Sequence, residues 1–263
     1  MTGKLEAGRA RVVLAKPPRK RRDSAVTAAS ETKTLGRARK VVDGVTQKST
    51  RDKLLDAAEE LFAEHGYDGT TLRDIASLAQ VLFGLATYYF GTKEELFRQV
   101  VARRAEQHQA SMMGALDDLL ARFAPASPSI EALVEAFFAP LVDKLLNQGP
   151  GWRNYLRLLA RAANIKQEQD FLQPFQTITD PLRVRFVDIA AGIFPTASRE
   201  DVLWAAYFFN AALTQFIAGE GSIDRISGGR CRANDLETIG RKMVPYFAGA
   251  FRAMIGAGEA ARG

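Results

Sequence analysis

The side chains able to do covalent chemistry are few and poorly spaced for it. His65 and His108 stand far apart, and neither has a second histidine or a cysteine at metal-ligand spacing. Cys231 is the only cysteine, which excludes an intrachain disulfide and a cysteine-based zinc site. Asp117-Asp118 is a lone acidic pair, read most simply as a solvated helix face, and no phosphate loop or nucleophile elbow occurs. The reading is therefore no enzyme, no cofactor and no metal. The groups suited to recognition, by contrast, gather in one stretch. Arg51, Thr71, Arg73, Thr87, Tyr88, Tyr89 and Lys93 offer hydroxyl, phenol, guanidinium and ammonium donors, the set that meets phosphate oxygens and base edges.

Those donors need helices to hold them. Ser49-Thr50-Arg51-Asp52 opens with a hydroxyl followed three residues later by a carboxylate, close to a capping box. Leu54, Leu55, Ala58, Leu61 and Phe62 then recur at helical spacing up to His65, and Gly66 supplies the stop, so a helix is predicted over about 50–65. Thr70-Thr71 caps a second short amphipathic segment through Ala79. A brief break at Gln80-Val81-Leu82 leads into a third helix, Phe83 to Phe90, and Gly91-Thr92 caps a long fourth run predicted over 93–123. Two short helices joined by a tight turn, the second ending in aromatics, form the geometry that lets a helix enter the DNA major groove.

Thr50-Arg51, Ala57-Ala58, Leu61-Phe62, Gly66-Tyr67, Thr70-Thr71, Asp74-Ile75-Ala76, Ala79, Val81, Gly84, Tyr88, Phe90, Lys93 and Leu96-Phe97 together resemble the TetR-family N-terminal signature at matching spacing. The resemblance implies a ligand-responsive transcriptional repressor that binds double-stranded DNA as a homodimer. Physically, Thr71 at a helix N-terminus offers hydroxyl and backbone donors to a phosphate, Lys93 offers a mobile ammonium, and Tyr88 and Tyr89 offer phenols. Arg51 is open between a phosphate contact and a solvated charge. Arg73, in the first turn of the second helix, matches a family position that contacts bases and can reach guanine bidentately; Phe83 and Leu85 suit thymine methyls, and Gly84 permits close backbone approach.

The chain departs from the family pattern at four places. Gln80 stands where a glycine is usual, and a non-glycine residue in a left-handed turn costs about 1 kcal/mol. Leu82 replaces a capping serine, which forfeits about 1 kcal/mol. Thr87 and Tyr89 replace the usual tyrosine and histidine around Tyr88. The fold is expected to survive these changes.

Beyond residue 125 the pattern stays helical, with helices predicted over 129–147, 152–164, 168–193, 198–219 and 234–256, so the fold class is all-α. The expected organisation is a basic disordered arm over 1–48, a helix-turn-helix domain over 49–97, a ligand-binding and dimerisation domain over 98–257 and a flexible tail over 258–263. The arm carries 13 lysines and arginines against 4 acids, while the whole chain is only +6. Such an arm suits nonspecific phosphate attraction, and a DNA-organising protein driven by it is the alternative reading. No apolar run approaches the ~18 residues of a membrane helix and no secretory signal opens the chain, so a cytoplasmic location without membrane contact is expected.

The body holds more large apolar surface than packing a few helices requires, which points to a small-molecule pocket for an apolar effector. Candidate pocket residues are Phe137, Phe138, Leu141, Trp152, Tyr155 and Leu159, with Phe171, Phe175, Phe186, Tyr207 and Phe208 farther on. Arg157 and Asn210 are candidate polar anchors, as are Arg161, Asn164, Thr214 and Gln215. For the dimer seam that the family implies, the candidates are Trp204, Phe209, Leu213 and Phe216, facing Met243, Phe247 and Phe251; packing inside the subunit competes for the same residues.

Overall fold

The computed structural model describes residues 48–166, 169–219 and 221–260, the last five by backbone alone. The arm expected over 1–48 lies outside the described residues but for Lys48. Among the described residues there are eleven α-helices, one 3-10 turn and no strand.

The punctuation acts where the sequence places it. Ser49 caps α1 (Thr50–His65) by accepting from Asp52 N, and α1 stops at Gly66, whose φ of 74° a side chain would resist. Thr71 and Asp74 form a complete capping box at the start of α2 (Leu72–Leu78). Gln80 takes the left-handed turn conformation at φ 56°, and Leu82 opens α3 (Phe83–Phe90) with no side-chain cap. Thr92 caps α4 (Lys93–Ala102).

The single long helix predicted over 93–123 is two. α4 ends at Ala102, and α5 (Ala105–Phe123) begins after a break at Arg103-Arg104. The cause is long-range: Arg103 reaches Asp56 at 2.5 Å and Arg104 reaches the buried Glu59 at 3.2 Å, both on α1. Arg104 also lies over the Trp152 ring at 5.2 Å. No local stop signal marks this break, because ion pairs to a distant helix turn the chain there.

The body continues with α6 (Ile130–Asn147), α7 (Pro150–Ala162), a 3-10 turn (Asp170–Leu172), α8 (Gln173–Ile193), α9 (Arg199–Ala218), α10 (Ser222–Ile226) and α11 (Leu236–Ala260). The short α10 falls in a stretch expected to be a connection from Gly219 to Gly229. α11 runs on to Ala260, into the tail expected to be flexible.

Two apolar cores result. One joins α5, α6, α8, α9 and α11 around Phe137, Phe186, Phe209 and Phe251. The other contains α1 to α4, yet it also takes in Trp152, Tyr155, Leu158, Leu159 and Ala162 of α7 and Phe171 and Phe175 beyond it. The three-helix head thus does not close its own core; α7 closes it.

Candidate DNA-reading surface and inner chamber

Helix α3 shows which of its sides the chain itself uses. Ala86 and Phe90 are buried against the head core, while Phe83, Gly84, Thr87, Tyr88 and Tyr89 face water and Leu85 is half-buried at the flank. Tyr88 is 81% exposed and Leu82, just before the helix, 79%. Large apolar surface left wet along one short helix marks an interaction face. A Cβ added to Gly84 would meet no atom within 4 Å, so the protein does not need the glycine for its own packing and the backbone there is open to close approach. Arg73 is exposed beside this face, its guanidinium 5.7 Å from the Phe83 ring centroid, which ties the first turn of α2 to the first turn of α3.

Two expected phosphate donors, Thr71 and Lys93, are otherwise engaged, and so is Arg51, whose role was open. Both Thr71 donors go to the Asp74 carboxylate, the amide at 3.1 Å and the hydroxyl at 2.6 Å. The carboxylate that completes the cap also puts negative charge where a phosphate was expected. Lys93 is not a mobile ammonium: its Nζ donates to the Tyr67 carbonyl at 3.1 Å and lies 4.0 Å from the Tyr67 ring centroid, which fastens the turn after α1 to the start of α4. Arg51 donates to Gln99 Oε1 at 2.6 Å and lies over Phe90. The exposed set brought together is therefore Arg73, Phe83, Gly84, Thr87, Tyr88 and Tyr89.

The body holds a chamber of about 430 Å³ among α6, α8 and α9, a size within the range of small-molecule sites. It adjoins an inner recess of about 90 Å³ that reaches α5 and α7. Of the residues expected to line a pocket, Phe137, Tyr207 and Asn210 line the chamber, with Asn164, Thr214 and Gln215. Leu141, Leu159 and Phe175 line the recess.

The others serve packing. Phe138 packs against Phe216 at 5.9 Å between ring centroids. Trp152, Tyr155 and Phe171 belong to the joint between head and body, where Phe171 stacks on Tyr67 at 4.3 Å. The Arg157 guanidinium lies against Gly219 at the end of α9.

Pattern reading missed Arg183, and it set His108 aside for want of a partner, whereas Phe186 lines the chamber as its place among the large apolar residues suggested. A signal existed: Phe175, Thr179, Leu182, Arg183 and Phe186 follow one helical stripe, so a threonine and an arginine interrupt an apolar face. His108 is buried at the recess with Nδ1 unpartnered among the described residues. Desolvation, with the nearby Lys144 ammonium, pushes its pKa down to about 3.

The expected dimer seam divides. Phe209, Leu213, Phe247 and Phe251 are buried within the subunit's own core, so they cannot meet a partner; Phe216 and Met243 are half-buried against that core. Trp204 stays half-exposed, with Tyr207 and Phe208 on the same side of α9 and Tyr246, 70% exposed, on α11.

An all-helical chain whose head presents one exposed helix of a helix-turn-helix, backed by a chambered helical body, is a DNA-binding regulator of transcription by architecture. The family profile described as "Bacterial regulatory proteins, tetR family" matches residues 54–100, and that described as "Tetracyclin repressor-like, C-terminal domain" matches residues 135–250. The chain belongs to the TetR family, and it is a transcriptional regulator rather than an enzyme.

Its head is similar to that of the "Biofilm operon icaADBC HTH-type negative transcriptional regulator IcaR" of Staphylococcus epidermidis, 43% identical over 51 residues, which is 19% of this chain and 28% of that protein. The IcaR protein of Staphylococcus aureus matches equally, over 27% of its length. The likeness thus spans about a quarter of these relatives. In fold the chain is similar to the ketosteroid transcriptional regulator KstR2 of Mycobacterium tuberculosis, with a TM-score of 0.54 at 20% identity, covering 78% of this chain and 96% of that one. Among the described residues no helix is long and apolar enough to cross a membrane.

Proposed function

We propose that the protein is a dimeric repressor that binds a near-palindromic operator and is released when a small molecule enters the chamber. The observation that carries the DNA reading is the wet face of α3, with Arg73 beside it. The name of IcaR, a negative regulator, supports repression over activation. Two identical heads related by a two-fold axis read related half-sites, hence the near-palindrome. The exposed rings of Trp204, Tyr207, Phe208 and Tyr246 support a helical seam between two copies.

Release follows from α7. One face of α7 closes the head core, while Leu156, Leu159 and Ala160 line the recess. A ligand that prefers a shifted α7 moves the head with it, because binding shifts an equilibrium only by its difference in affinity for the two states.

Selection of bound molecules from random duplexes is expected to return a near-palindrome. On that duplex Arg73→Ala and Tyr88→Ala should each lose at least tenfold in affinity with unchanged circular dichroism. Retention by both variants would remove α3 and Arg73 from the interface.

A further inference from the structure

The charge around the chamber is one-sided. Arg183 lines both the chamber and the recess; among the described residues lining either, it is the only one with a permanent charge and none carries a carboxylate. Its ties are loose: Nη2 meets Asn210 Oδ1 at 3.4 Å, and Nη1 meets Asp180 at 3.3 Å in an exposed pair one helical turn away, which contributes little in water. Asn210 offers Arg183 its carbonyl oxygen and so keeps its amide N–H donors for another acceptor. The hydroxyls of Thr179 and Thr214 are donated to their own helix backbones. Around these donors stand the rings of Phe137, Phe186, Phe209 and Tyr207. His108 also lines the recess, buried and with Nδ1 unpartnered among the described residues. A buried polar atom without a partner signals a missing one.

We propose that the effector is an apolar carboxylic acid, its carboxylate held by Arg183 and Asn210 where chamber and recess meet and its body lying among the aromatic rings. This rests on the reading of the chamber as the effector site and adds the ligand's charge to it. A cation would meet the Arg183 guanidinium with no acid among the described lining residues to offset it, and a neutral analogue would forgo a charge-assisted hydrogen bond, about twice as strong as a neutral one. A hydrogen-bonding group that reaches His108 completes the fit at the recess.

The test uses the full chain and matched sets of probes: 4-phenylbutyrate, decanoate and naphthalene-2-carboxylate, each with its primary amide and the corresponding amine, measured by calorimetric titration. At least one acid is expected to bind, and its amide and amine at least tenfold more weakly. Arg183→Met should erase that preference while leaving the circular-dichroism spectrum unchanged. Ala211→Trp, on the exposed rim of the chamber, should block all binding. Equal binding of acid, amide and amine, blocked by Ala211→Trp, overturns the anion subsite and leaves the chamber reading intact. Binding of no probe, or binding that survives Ala211→Trp, overturns both.

Discussion

At the residue scale, the two departures in the turn before α3 both cost stability, one through the backbone and one through a lost cap. Gln80 holds a left-handed conformation that costs a side-chain-bearing residue about 1 kcal/mol, and Leu82 leaves the first turn of α3 without a side-chain acceptor. Leu82→Ser is expected to raise stability by about 1 kcal/mol in thermal unfolding; an unchanged midpoint would mean that the turn already satisfies those amides another way. His108 gives a pH-dependent contribution. Its folded value near 3 lies below the ordinary 6.5, so its neutral form favours the fold; that contribution is full above pH 6.5 and is lost as pH falls toward 3. Between pH 7.5 and 5.5 the wild type should lose about 1.4 kcal/mol from this residue, and urea unfolding of His108→Leu should be flatter by that amount.

At the element scale, α7 acts as a shared wall. A helix leaves its last carbonyls without intrahelical partners. Two side chains of α7 supply them: Arg161 Nε donates to the Ala63 carbonyl near the end of α1 at 2.7 Å, and the Tyr155 hydroxyl donates to the Val101 carbonyl near the end of α4 at 2.8 Å. Burial raises the Tyr155 pKa, so it stays a donor. Gly151 completes the joint, since a Cβ there would come 2.5 Å from Arg104 Nη2. Tyr155→Phe leaves a buried carbonyl unpaired and is expected to lower stability by about 1–3 kcal/mol. Tyr246→Phe, on an exposed phenol, is the control and should change the unfolding midpoint little; equal midpoints for the two would refute the capping role.

At the scale of the whole molecule, the proposed seam between copies draws on the exposed rings of α9 and α11. Trp204 stacks on Phe208 at 5.8 Å and meets Tyr207 edge-on at 5.9 Å, so one helix side presents a continuous aromatic surface to water. Trp204→Glu combined with Tyr246→Glu should convert a dimer to a monomer in sedimentation analysis and weaken operator binding, because both half-sites must be held at once. An unaltered sedimentation coefficient would place the seam elsewhere.

Periodicity and punctuation made the helices of the head legible before any coordinates: Ser49, Thr71, Gly66 and Gly91 act locally, within a turn of where they sit. The buried side of α3 follows the same helical rule, since Ala86 and Phe90 lie one turn apart. What three-dimensional packing decided was partnership. Arg103 and Arg104 break a helix for the sake of acids some 45 residues earlier, Lys93 is drawn to the Tyr67 carbonyl and ring, and four residues suited to a dimer seam fill the subunit's own core. Local geometry follows from neighbours along the chain, whereas burial and charge pairing depend on which surfaces the folded helices bring within a few ångströms of each other.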